Sequence, residues 1–298
     1  MNESFDGRAF AQAKLQMVSL AVREQFQRTK KNLKIVSIYP FEDQASVLYT
    51  KLKKNDAAQV GIQYQTVPLS MKQSRHTWLR AVMQANHDDS VQAILVQKPS
   101  RESYDSFGDA SLDFSTWWQN IAEAIAPEKD IDGLAPMTLF SLESAAKRAV
   151  EKKEYLTSLD SFLLPATAQA VIDIALFALH NSLEELRTRR VAVIGRSVIV
   201  GRPTAAGFSV LGAPTNLFSS KDNLAKLLPE YDVIVSATGQ AGLIAADWVK
   251  PGSILIDVGA PVPEFQAACY EKASFYTPVP YGVGPVTRAC LLENIFKL

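Results

Sequence analysis

The stretch VAVIGRSVIVGRPTAAGFSVLGAPTNLF, residues 191–218, decides the fold. VAVIG at 191–195 is a short apolar run rich in β-branched residues, the pattern of a strand buried on both faces. It ends on Gly195, crosses a turn, and hands over near residue 203 to a helix that reaches 211; a second strand follows at 214–218. Strand, crossover helix and strand at this spacing imply a parallel sheet. Downstream the alternation continues with a helix at 221–228, a strand at 232–236, a short helix near 245–249 and a strand at 253–258. ASFYTPVPYGVGPVT at 273–287 reads as a loop structured by Pro and Gly, and the last dozen residues fit a closing helix.

Upstream the same grammar appears. A helix is expected from Phe10 to about Arg28, a strand at 33–39, a helix at 44–60, a strand at 62–69, a helix around Leu79–Ala85 and a strand at 91–97. Residues 98–111, KPSRESYDSFGDAS, are polar and read as an exposed loop, followed by a helix around Trp117–Ile125 and a turn at 126–136. Two longer helical segments, about 139–153 and 167–185, lead to the strand at 191–195. The fold class is therefore α/β, with two domains.

The turn GRSVIVGRP at 195–203 carries the first chemistry. Small residues between a strand and a helix let backbone N–H groups approach a pyrophosphate, which the helix N-terminus also attracts. Gly195, Arg196, Ser197 and Gly201 are the candidates, although the spacing is Gly, five residues, Gly, and not GxGxxG. SATGQAG at 236–242, with Thr238 and Gly239, and IDVGAP at 256–261 place two more small-residue loops at the same sheet edge. In open parallel sheets, ligands bind at the carboxyl ends of the strands. After the strand at 214–218 the sequence is SSKD, so Ser219, Ser220 and Lys221 precede the first acid, Asp222. A NAD-preferring site usually has an acid there, whereas Arg196 with Ser220 and its neighbours suits the extra phosphate of NADP. NADP is the expected cofactor.

Composition narrows the rest. The 298 residues are 47% apolar and 21% charged, and 31 basic residues balance 31 acidic ones. A neutral chain of this kind gives no electrostatic reason to expect a nucleic-acid or membrane partner. Cys269 and Cys290 are too few for a disulfide framework, and His76, His87 and His180 lack metal-ligand spacing, so no metal is expected. The N-terminus has no apolar signal segment and no stretch approaches membrane-spanning length, which makes the cytoplasm the expected location.

In the first half, Tyr49 and Lys53 are four residues apart on the predicted helix 44–60 and share a face. A desolvated lysine can serve in proton transfer and an aromatic neighbour can stack on a flat substrate. Lys51 and Lys54 flank Lys53, so on spacing alone a solvated basic face is the better explanation. Gln97 closes the strand 91–97, where it points toward any crevice at the carboxyl edge. Asp132, in KDIDG, sits on an Asp-Gly turn, and Asp130 competes with it for any role as ligand.

Taken together, these segments resemble the bifunctional methylenetetrahydrofolate dehydrogenase/cyclohydrolase family. The likeness covers FDGRAFA at 5–11, ASVLYTKLKK at 45–54, AILVQ at 93–97, PEKDIDGL at 127–134, VIGRSVIVGRP at 193–203, VSATGQAGLI at 235–244, PGSILIDVG at 251–259 and TPVPYGVGPVT at 277–287. It implies an N-terminal α/β substrate domain over residues 1–145, rejoined by the C-terminal helix 283–298. A Rossmann-like NADP-binding domain over 146–282 completes it, with the active site in the cleft between.

The implied reactions are NADP-dependent oxidation of methylenetetrahydrofolate to the methenyl form and its hydrolysis to formyltetrahydrofolate. By the same resemblance Lys53 is the cyclohydrolase lysine, Tyr49 stacks on the folate, Gln97 tunes the lysine and Asp132 grips the pterin. Pro280, Gly282 and Gly284 would line the substrate, and a homodimer is implied. A related NADP oxidoreductase, a dehydrogenase-only variant, and a non-catalytic nucleotide- or folate-binding module are the other readings. The sequence departs from the family at Lys98 and Ser100, which replace apolar residues of an LPLP-type loop. PATA at 165–168 and Tyr281, where the family has glycine, are further departures, and APVPEFQAACYEKASF is shortened.

Overall fold

The computed structural model describes residues 2–108 and 112–298. In chain order it begins with β1 (Glu3–Ser4), α1 (Gly7–Thr29), β2 (Lys34–Pro40), α2 (Gln44–Val60), β3 (Gln63–Leu69), α3 (Arg75–His87), β4 (Ala93–Val96), α4 (Arg101–Phe107), α5 (Phe114–Glu123) and α6 (Pro136–Lys152). It continues with α7 (Ala166–Ala178), α8 (Leu183–Thr188), β5 (Val191–Ile194), α9 (Gly201–Leu211), β6 (Thr215–Phe218) and α10 (Leu224–Leu227). β7 (Val233–Ser236), β8 (Ile254–Asp257), α11 (Ala267–Lys272), β9 (Phe275–Tyr276) and α12 (Val283–Glu293) complete it. Among the described residues no helix is long and apolar enough to cross a membrane.

The chain forms two compact units. One holds Ala13–Pro136 with Leu291–Leu298, and the other the residues through Gln12 with Met137–Cys290. These borders differ from those expected at 145/146 and 282/283. β1 is one reason: Glu3 and Ser4 pair in parallel with Phe275 and Tyr276, so the chain start belongs to the larger sheet. Phe5 secures it, with ring centroids 5.5 Å from Phe10 and 5.6 Å from both Phe177 and Phe275. α12 is the other, because its last residues and the 3-10 turn Asn294–Phe296 pack into the smaller unit.

The smaller unit is built on a three-stranded parallel sheet in the order β3-β2-β4. Pro68 lies in β3, an edge strand, where its missing N–H costs no ladder bond. Val36, Ile38, Ile94 and Val96 join Trp78, Val82, Trp117 and Ile121 in one core, with Trp78 and Trp117 edge to face at 5.2 Å. Side chains alternate along a strand, so Ile35, Ser37, Ala93 and Leu95 take the opposite face, and Gln97 continues that series. The chain runs from β2 out to β3 and returns to β4 on the other side of β2. That places a switch point between the carboxyl ends of β2 and β4.

The larger unit is a six-stranded sheet in the order β1-β9-β8-β7-β5-β6, parallel throughout. Its switch point lies between β5 and β7. Ala192, Ile194, Ile234 and Leu255 face Leu224, Leu228, Phe265 and Cys269 in a second core.

Three sequence expectations are corrected. Segment 98–111 is not all loop: α4 occupies Arg101–Phe107, and residues 109–111 lie outside the described residues. Ser100 caps this helix by accepting from the Ser103 N–H at 3.1 Å, and the Tyr104 ring packs on Phe114 and Trp117 at 5.1 and 5.2 Å. The helix expected at 167–185 breaks at His180 and Asn181, whose φ angles of 52° and 60° are left-handed. Segment 273–287 holds β9 and the first turn of α12 as well as a loop.

Asp43 ties α2 to α4. Its buried carboxylate accepts from the Ser46 N–H and hydroxyl at 2.8 and 2.5 Å, and from the hydroxyls of Ser100 and Ser103 at 2.8 and 2.7 Å. Burial alone would raise its pKa, but the bonds from Ser46, Ser103 and Ser100 outweigh it and hold the carboxyl at about 2. A depressed folded-state pKa contributes stability above the unfolded value of 3.8 that is lost as pH falls toward about 2. Asp43→Ala is therefore expected to cost about 2 kcal/mol at neutral pH, through lost caps and charged hydrogen bonds. Urea unfolding of both proteins should show the difference shrinking below about pH 4. A difference independent of pH would contradict this account.

Candidate active site

In the smaller unit the structure brings two of the predicted side chains, Lys53 and Gln97, together. Lys53 is buried on the third turn of α2, and its Nζ donates to Gln97 Oε1 at 3.0 Å. Gln97 is held in turn by its own N–H, which donates to the Ile38 carbonyl at 2.8 Å and extends the β2–β4 ladder by one residue. The switch point between β2 and β4 is thus where the amide meets the lysine. Lys51 and Lys54 are exposed while Lys53 is buried, which separates it from a solvated basic face. Tyr49 is half-buried one turn earlier on the same helix.

The KDIDG turn separates its two acids. Asp130 is buried, in bridge register with Ile94, and its carboxylate accepts the Ala135 N–H at 2.6 Å. Burial pushes its pKa up to about 6, and the neighbouring Asp132 charge adds to that. Its Oδ2 is committed to the turn and its Oδ1 is buried, whereas Asp132 is half-buried. Tyr64 on β3 lies within electrostatic reach of Asp132. Burial raises the phenol above its ordinary value, Ser37 opposes the shift and Asp132 adds to it. Tyr64 escaped the sequence reading because an alternating edge strand offers no motif.

In the larger unit, Gly195 directly follows β5 with φ 115°, and a Cβ there would overlap the Ala237 carbonyl that follows β7. A Cβ on Gly201 would overlap the Gly195 carbonyl. Both glycines are demanded by the backbone crossing at the switch point. Ser197 Oγ accepts the N–H of Val200 at 3.1 Å and closes the turn into α9. Arg196 pairs with Asp222 at 3.2 Å, and Asp222 also accepts the Ser219 N–H at 2.7 Å, so the first acid after β6 sits closer to Arg196 than its sequence position suggests. Ser220 accepts from the Gln240 amide at 2.9 Å, which links the loops after β6 and β7.

Glu264 was not foreseen. It is buried, and its carboxylate accepts the Ser236 hydroxyl at 2.5 Å, the Thr238 N–H and hydroxyl at 2.9 and 2.7 Å, and the Gly239 N–H at 2.7 Å. Thr238 and Gly239 therefore shape the loop with amides already engaged. Asp257, buried at the end of β8, accepts the Glu264 N–H at 2.9 Å and orders the segment that supplies that carboxylate. The only sequence signal was an acid inside an apolar run, PVPEF.

The TPVPYGVGP segment packs on the FDGR segment of its own unit. A Cβ at Gly7 would overlap the carbonyls of Tyr281 and Gly282, and the Arg8 guanidinium stacks 3.5 Å above the Tyr281 ring. The ring that departs from the family pattern is thus occupied within its unit, on a backbone with φ 83°. Gly282 is close-packed, 2.5 Å from Pro278 O if given a Cβ, and Pro280 follows a cis bond, while Gly284 faces open space.

A Gly-closed switch point on one parallel sheet and a buried lysine–glutamine pair in the other unit define a two-unit α/β protein of the Rossmann-like nucleotide-binding class. Residues 5–132 match the model of the tetrahydrofolate dehydrogenase/cyclohydrolase catalytic domain, and residues 165–298 match that of its NAD(P)-binding domain. The chain is 36% identical over 264 residues to bifunctional protein FolD 4, chloroplastic, of Arabidopsis thaliana, covering 84% of this chain and 66% of that one. It is 30% identical over 301 residues to bifunctional protein FolD of Methanoculleus marisnigri, covering 98% and 94%. The solved methylenetetrahydrofolate dehydrogenase-cyclohydrolase (FolD) of Trypanosoma brucei, complexed with NADP cofactor and inhibitor, matches with a TM-score of 0.82 at 28% identity, over 99% and 96% of the two chains. The chain belongs to the tetrahydrofolate dehydrogenase/cyclohydrolase family.

Glu264→Gln should cost about 2–3 kcal/mol, because an NH₂ group then faces donors that a carboxylate had satisfied. Chemical denaturation measures it, and a cost below about 0.5 kcal/mol, the size of an ordinary surface change, would contradict the assigned role.

Proposed function

We propose that this chain oxidises methylenetetrahydrofolate to the methenyl form with NADP and hydrolyses the methenyl group to give formyltetrahydrofolate. The observation that carries the reading is the Lys53–Gln97 hydrogen bond of 3.0 Å at the sheet switch point. A buried lysine held by a glutamine has little purpose in a protein that only binds a nucleotide, since burying a charge is costly.

The residues fit NADP. Gly195 and Gly201 keep side chains out of the turn into α9, an 11-residue helix whose N-terminus suits a pyrophosphate. Arg196, Ser219, Ser220 and Lys221 would hold the additional phosphate; the Arg196–Asp222 pair is exposed, so exchanging it for a phosphate costs little. NADP, when bound, supplies the hydride acceptor.

Every other contribution comes from the chain. Asp132 accepts hydrogen bonds from the pterin ring and Tyr49 stacks on the folate, which fixes the reacting carbon. Loss of hydride leaves that carbon cationic. Water then adds to it, Lys53 takes the water's proton, and the carbon–nitrogen bond of the five-membered ring breaks as a proton returns to nitrogen. Gln97 fixes the Lys53 amine by accepting one of its N–H bonds. Pro280, Gly282 and Gly284 line the substrate in this reading. A homodimer and a cytoplasmic location belong to the same proposal on family likeness alone.

Lys53→Met should lower hydrolysis by on the order of 10²–10⁴-fold while dehydrogenation persists, so the methenyl compound accumulates alongside NADPH. Following methenyl absorbance and NADPH together measures both steps. Formyltetrahydrofolate production at the wild-type rate by this variant would reject the role of Lys53.

A further inference from the structure

Beyond α12 the chain returns to the smaller unit with one fully buried polar residue. Asn294 has no solvent exposure, and its Nδ2 donates to the carbonyl oxygen of Ile131 at 3.1 Å across 163 positions of sequence. A buried amide N–H is costly without an acceptor, so the Nδ2 of Asn294 answers to the Ile131 carbonyl. That carbonyl belongs to the planar peptide group whose nitrogen is Asp132's own. Fixing it fixes the plane from which the Asp132 side chain departs.

The rest of the turn is held at its ends. Asp130 is in bridge register with Ile94, the Gly133 N–H donates to the Asp130 carbonyl at 3.2 Å, and the Asp130 carboxylate takes the Ala135 N–H. Asn294 acts between these points, on the peptide that joins Ile131 to Asp132. The residue before it, Glu293, pairs with Lys14 of α1 at 2.6 Å, which anchors the segment that delivers Asn294.

We propose that Asn294 is a positioning residue for folate: through the Ile131 carbonyl it aims the Asp132 carboxylate at the donor edge of the substrate's aminopyrimidine ring. The inference rests on the folate-binding role of Asp132 in the function proposed above. Two parallel N–H donors on a ring edge demand a carboxylate in one orientation, so a small rotation of the Ile131–Asp132 peptide weakens binding. The C-terminal turn is thereby part of substrate recognition.

The test uses the full-length protein with methylenetetrahydrofolate and NADP. Asn294→Asp and Asn294→Ala, which both remove the donor, should raise KM for the folate about tenfold, the effect of losing one buried hydrogen bond, and leave KM for NADP unchanged. Asn294→Ser, which keeps a hydroxyl donor, should recover part of the loss. Adding Asn294→Asp to Asp132→Asn should raise the folate KM no further, because both act through one contact. Lys14→Met, which loosens the segment that delivers Asn294 but keeps the donor, should lower the melting temperature and raise the folate KM by clearly less than Asn294→Ala.

An unchanged folate KM in the Asn294 variants that fold would overturn the proposal. So would full additivity in the double variant, or an equal KM rise in Lys14→Met. An Asp132→Asn variant with wild-type folate KM would instead remove the role of Asp132 itself, and with it the target of Asn294.

Discussion

A side chain at position 201 would run into the carbonyl oxygen of Gly195, and one at position 195 into that of Ala237. This steric constraint organises the larger unit. Parallel strands deliver all their carboxyl ends to one edge, and at this switch point the turn after β5 and the loop after β7 approach too closely for side chains between them. The loop after β7 has its amides satisfied by protein. Glu264 accepts from them, and Asp257 holds the segment that supplies Glu264. The carboxyl edge of this sheet is thus a set of backbone positions fixed by glycines and two buried carboxylates.

The smaller unit solves the same topological problem with opposite chemistry. Its switch point carries no glycine crossing; instead a lysine and a glutamine meet across it, one from a helix and one from a strand end. The alternation of β4 puts Gln97 on the face away from the Trp78 core, and the phase of α2 puts Lys53 opposite it. A one-residue slip in either element would separate the pair. The chemistry of this unit therefore depends on register, and register depends on the apolar side chains of β2 and β4.

Much of this was legible in the sequence where periodicity is strong. β5, α9 and α2 appear close to where apolar spacing puts them, but the burial of Lys53 does not follow from spacing, which favoured a solvated basic face. What was not legible depended on partners distant in sequence. α4 has one buried aromatic in seven residues and is stabilised from Asp43, which no local pattern reveals. Asp130 and Asp132 are equivalent in the motif and differ only because β4 passes beside the first. The departures from the family pattern were visible as substitutions, yet their roles were not: Ser100 caps α4, Lys98 lies 5.3 Å over Phe114, and Tyr281 stacks under Arg8. The domain borders moved because a two-residue strand and a three-residue turn carry no periodicity.

The central claim is that one chain couples oxidation to hydrolysis, and the most direct measurement is made on the purified wild-type protein. Methylenetetrahydrofolate is mixed with NADP, or separately with NAD, and reduced cofactor, methenyl absorbance and formyl product are followed together. The expected result is NADPH formation, faster than with NAD, with formyltetrahydrofolate as the end product. Reduction of neither cofactor would contradict it, and NADPH with methenyl accumulation alone would contradict the coupling to hydrolysis.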